Sequence, residues 1–120
     1  MKHLDRELRS PRLSEELENR LRPSKYLGYD RDHLGVALLR REMFEAAESL
    51  FRRAVLLNPY EAAFKQHLAW CLHRMGREKE ALEIIEAALE QKPDDPDAQV
   101  VRDRVLDALA KGQPGADRGR

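Results

Sequence analysis

Along much of this chain apolar and small residues recur three and four positions apart, the spacing that puts side chains on one face of a helix. Leu34, Gly35 and Leu38 share one such face, and Ala47, Phe51 and Ala54 share the next. The arrangement returns as Leu68, Ala69 and Leu72, followed by Ala81, Ile85 and Ala88. No stretch alternates apolar and polar residues long enough to predict a strand. Breaks in the pattern divide it into helices. Asn58-Pro59 and Lys92-Pro93 stop a helix each, because the residue before proline is pushed out of helical geometry. Turns are predicted over Arg41–Phe44 and Met75–Glu78, the second carrying Gly76 where a helix terminator is expected.

Pro59 and Pro93 lie 34 residues apart, and aligning the chain on them brings all the positions above into register. Each unit then predicts two antiparallel helices. Small residues (Gly35, Ala47, Ala69, Ala81) let the two backbones approach, and larger ones fill the adjoining space. With Leu34, Gly35, Leu38, Ala47, Phe51, Ala54 and Pro59 in the first copy, the pattern resembles the tetratricopeptide repeat. The second copy supplies Leu68, Ala69, Leu72, Ala81, Ile85, Ala88 and Pro93. The family's large aromatic near the start of the first helix is replaced by Arg31 and Lys65. The resemblance implies an all-α fold, a right-handed superhelical stack of antiparallel helix hairpins, with repeats at 28–61 and 62–95.

Two repeats need covers at both ends. Residues 96–111 predict a C-terminal capping helix, apolar along Ala98, Val101, Val105 and Leu109. Arg102 and Asp103 stand there at the repeat's apolar and small positions, which leaves the outer side wet. Residues 1–27 carry shorter stripes, Leu4/Leu8 and Leu13/Leu17/Leu21 after a Ser10-Pro11 start. They predict either a degenerate first hairpin or a separate docking element, and the former is the reading adopted. The glycine-rich end, 112–120, is expected to be disordered.

Charge narrows the functional classes. The 22 basic residues are balanced by 22 acidic ones, whereas proteins that grip nucleic-acid phosphates carry a basic surplus. An RNA-binding helical repeat is therefore disfavoured. The charged N-terminus lacks a signal peptide's apolar stretch, no apolar run is long enough to cross a bilayer, and Cys71 is the only cysteine. A cytoplasmic setting is expected.

His67, Cys71 and His73 invite a test for chemistry. His67 and Cys71 share a helical face, but His73 points nearly opposite Cys71, so the three do not converge as metal ligands must. No glycine-rich loop supplies an oxyanion hole or a phosphate cradle beside Cys71. No catalytic residue, metal or cofactor is expected.

The family resemblance implies instead a concave groove lined by the first helices of successive repeats. Its columns pair Asp32 with Gln66, Val36 with Trp70, Leu39 with His73 and Arg40 with Arg74, and Val100 and Arg104 continue them. Trp and Arg are favoured at binding hot spots. An adaptor or scaffold is expected that takes a partner segment with an apolar anchor and acidic residues. Asp32, Val36, His67, Asp97 and Val101 stand where some family members clamp a chaperone's terminal carboxylate, and none matches that clamp. The alternative is a scaffold that homo-oligomerises through its N-terminal hairpin.

Overall fold

A computed structural model describes residues 27–112; the predicted N-terminal stripes and residues 113–120 lie outside that span, while Gly112, expected in the disordered end, closes the last helix. Five helices follow in order: α1 Tyr29–Arg40, α2 Phe44–Leu57, α3 Ala62–Arg74, α4 Glu78–Gln91 and α5 Pro96–Gly112. Among the described residues there is no strand. The described chain is an all-α stack in which α1/α2 and α3/α4 form hairpins and α5 packs on the second. The first helices of the successive units run side by side, α1 against α3 and α3 against α5.

The turns show how local chemistry sets the hairpins. In both, the last residue but one of the turn bonds back five residues: the N–H of Met43 donates to the Leu38 carbonyl and that of Arg77 to the Leu72 carbonyl, each at 2.9 Å. The N–H groups of Glu42 and Gly76 donate to the carbonyls of Leu39 and His73, also at 2.9 Å. This Schellman arrangement requires a left-handed residue at the turn. Gly76 meets it with φ 80°, but in the first hairpin Glu42 is forced there with φ 62°. At the other ends, Asn58 and Lys92 adopt extended φ of −143° before their prolines, and α2 and α4 stop one residue earlier.

Between helices, size is matched pairwise. A Cβ on Gly35 would stand 2.7 Å from Cε1 of Phe51, so the fully buried phenyl ring rests on bare backbone. In the second hairpin the narrower Ile85 takes the place of Phe51, and Ala69 takes that of Gly35. Phe51, Ile85, Ala47, Ala54, Ala69, Leu72 and Ala81 are fully excluded from solvent, and Ala88 is nearly so. On α5, Ala98, Val101 and Val105 are buried against the second hairpin, while Asp103 and Leu106 face water.

Leu34 corrects the sequence expectation of a repeat core position. It is 53% exposed, whereas Leu68, its counterpart one repeat on, is 2% exposed. The reason is positional: Leu68 lies against the hairpin before it, and Leu34 lies on the first helix of the described stack. Leu38 is only partly buried, while Leu72 is fully buried.

Candidate partner-binding groove

Helix α3 carries Gln66 and Trp70 one turn apart, and α5 carries Val100 and Arg104 at the same spacing beside them. Together with His67, Asp97 and Val101 they line a cleft of about 290 Å³. Trp70 is partly buried and packs against the core. The Arg104 guanidinium sits 6.0 Å from the indole centroid, and the His73 ring lies 5.1 Å away at a tilt. An arginine over an indole face gains roughly 0.5–1 kcal/mol at an exposed site. The arrangement therefore holds the guanidinium along the rim of the cleft.

The other predicted groove residues separate. Asp32 is 3% exposed and its Oδ1 lies 2.7 Å from Nδ1 of His67, so it braces α1 against α3 and faces no groove. Leu39 is also buried, as part of the core. Both were expected to line the groove. The correction follows from helix rotation: each lies on the side of α1 that turns inward toward α3 and α2. Val36 is partly buried against the same core. Arg74 turns toward the α1–α2 turn, where its guanidinium lies 5.2 Å from the Phe44 ring centroid and 4.0 Å from Glu42. His73 is tied to Glu78 at 2.7 Å. Arg40 is exposed in the last turn of α1.

His67, Asp97 and Val101 join the cleft; all three stand at positions matching the family's carboxylate clamp but were not counted among the groove columns. For the last two the signal was present, since positions 97, 100, 101 and 104 share one helical face. What the sequence lacked was the rotation of that face toward Trp70.

Two larger clefts, of about 610 and 530 Å³, open at the turn edge of the stack. They are one feature repeated every 34 residues: Glu42–Ala46 with Met75 line the first, and Gly76–Glu80 with Leu109 the second. Their walls are helix starts rich in charged side chains. The first does contain an aromatic, Phe44, but the arginine over it, Arg74, already faces Glu42. The second has no aromatic, nor has a cleft of about 500 Å³ bordered by Glu86, Leu89, Glu90, Pro93 and Arg102. The Trp70 cleft, with an indole and an arginine that no carboxylate engages among the described residues, is the better candidate despite its smaller volume.

Nucleophilic and metal chemistry find little footing in the described residues. Burial pushes the Cys71 thiol up to about 11, and its Sγ donates to the Phe44 carbonyl at 3.4 Å. A neutral, enclosed thiol is a poor nucleophile. Among the described residues no group of three or more His, Cys, Asp and Glu side chains could hold a metal ion. None of the described helices is long and apolar enough to cross a membrane.

Stacked helical hairpins with small-residue contacts and a side-chain-lined inner face define a helical repeat protein of the protein-interaction class. The tetratricopeptide repeat profile matches residues 38–105, more than half of the chain. The chain belongs to the tetratricopeptide repeat family, generally a non-catalytic protein-interaction repeat. It is also similar to Cell division cycle protein 27 homolog B of Arabidopsis thaliana, with 43% identity over 56 residues. That alignment covers 47% of this chain and 8% of the plant protein, so the chain spans only a small part of that relative's length.

Proposed function

We propose that this chain is a non-catalytic adaptor or scaffold module that holds a segment of another protein along its concave face. The observation that carries this reading is the Trp70 cleft, where a partly buried indole is bordered by Val100, 52% exposed, and by the guanidinium of Arg104. Side chains of this kind supply large contact area with directional donors, the composition of interface hot spots. On this reading the repeats are 28–61 and 62–95, capped by 96–111, and a buried, lone cysteine suits a reducing, cytoplasmic setting.

The test is a pull-down from cell extract comparing wild type with a Trp70→Ala/Arg104→Glu double variant of unchanged helicity. A partner captured by wild type and lost by the variant is the expected result. Equal capture by both would remove the groove from the account.

Leu34 favours a second reading. Half of this leucine is open to water where its counterpart is covered, so the N-terminal edge offers apolar surface to a second copy. Light scattering separates the two readings: a mass that stays monomeric across concentration counts against self-association.

A further inference from the structure

The cleft is polarised along its length. Asp97 stands at the start of α5 and Arg104 two turns further on, with Val100 and Val101 between them and Gln66, His67 and Trp70 forming the opposite wall. Both charged side chains are exposed, and among the described residues neither is paired with an opposite charge. Arg104 is set over Trp70 at one end. The other end is acidic. At 1.5 Å per residue the two lie about 10 Å apart along the helix.

That spacing selects the shape of the occupant. A cleft of about 290 Å³ is at the small end of ligand sites and holds less than two turns of a helix roughly 10–12 Å across would fill. An extended strand advances about 3.3 Å per residue and turns every second side chain to the same face, so a basic and an acidic residue four positions apart share a face with their Cα atoms about 13 Å apart, a span their long side chains close onto the two ends of the cleft. The side chain midway between them shares that face and would meet the apolar floor of Val100, Val101 and Trp70.

We infer that the groove recognises an extended, dipolar segment of a partner protein: a basic residue at Asp97, an apolar residue two positions on over Val100 and Trp70, and an acidic residue two positions further at Arg104. This rests on the groove reading above and deepens it, because an apolar groove alone would be indifferent to charge. Charge complementarity at exposed ends contributes selectivity more than raw affinity, and salt weakens it.

The test uses the full chain and short fluorescein-labelled peptides carrying Lys-Ser-Leu-Ser-Glu, Lys-Ser-Leu-Ser-Lys or Glu-Ser-Leu-Ser-Glu between glycine-serine flanks, read by fluorescence anisotropy at low salt. Wild type is expected to bind the dipolar peptide about 1.4-fold to fivefold more tightly than either like-charged one, the fold-change of one exposed ion pair at roughly 0.2–1 kcal/mol. Asp97→Lys should shift the preference to Glu-Ser-Leu-Ser-Glu, and Arg104→Glu should shift it to Lys-Ser-Leu-Ser-Lys. These crossovers hold whichever way the peptide runs. Binding of all three with equal affinity, unchanged in the variants but lost in Trp70→Ala, would overturn the dipolar inference and leave the groove reading standing. No binding by any peptide would overturn both.

Discussion

Leu34 and Leu68 hold the same place in successive repeats, and the structure predicts that truncating them will have very different effects. Leu68 is 2% exposed. Leu68→Ala removes buried methyl groups and leaves a cavity in the stack, a change that destabilises by about 2–5 kcal/mol. Leu34 is 53% exposed, so solvent already reaches the space its side chain occupies and no closed void is left. Only about half of the roughly 1.5–3 kcal/mol of a leucine's burial is at stake, and alanine retains part of that. Leu34→Ala should therefore destabilise by about 1 kcal/mol or less, at least ~1 kcal/mol below the effect at Leu68. Urea unfolding of the full chain measures both, followed by helical circular dichroism and by the fluorescence of Trp70, the sole tryptophan. The two probes must trace one transition, since repeat arrays can unfold in parts. Equal losses at the two sites would mean that Leu34 is covered in solution, and the account of the N-terminal edge would be wrong.

Other consequences are as direct. Glu42 occupies the left-handed turn position that Gly76 fills in the second hairpin; Glu42→Gly should relieve strain and stabilise by about 0.5–1 kcal/mol in the same urea assay, after the added freedom of glycine in the unfolded chain is deducted. Gly35→Ala places a Cβ 2.7 Å from the buried Phe51 ring and should destabilise by about 1–2 kcal/mol despite alanine's better helix propensity; a more stable variant would show that the ring can retreat. Burial raises the Cys71 thiol from 9.0 to about 11, so its contribution to stability is intact below about pH 9 and is lost as pH rises toward 11; a pH series on Cys71→Ala should show a flatter alkaline limb than wild type. Arg52 joins Glu48 on its own helix to Glu80 on α4, and Arg77 joins the same two carboxylates at 2.8 and 2.6 Å. Both arginines and Glu80 are about 40% exposed, and Arg77 still neutralises the more covered Glu48 when Arg52 is removed, so Arg52→Ala should destabilise by less than about 1 kcal/mol, and by less still in 1 M salt.

Much of the fold was legible in the sequence because its determinants are local or strictly periodic. Asn58-Pro59 and Lys92-Pro93 dictate where helices stop whatever surrounds them. The 34-residue period places Gly35 opposite Phe51 and Ala69 opposite Ile85, because close helix contact demands a small residue facing a large one. That Trp70 and Arg104 belong to the groove columns followed from the family resemblance the period carries. The turn at Glu42 was legible as a turn, but its left-handed strain was not, since glutamate does not announce that conformation.

What the tertiary structure alone decided is how each helix is rotated about its axis and what covers it. Asp32 and Leu39 belong to the groove columns by period, yet α1 is rotated so that one meets His67 and the other enters the core. Leu34 and Leu68 are identical in type and register, and differ only in having a neighbour. Asp97 becomes part of the cleft because α5 turns that face toward Trp70. Sequence periodicity fixes which residues share a side; burial depends on the angle between helices and on the next element in the stack, which are properties of the assembled chain.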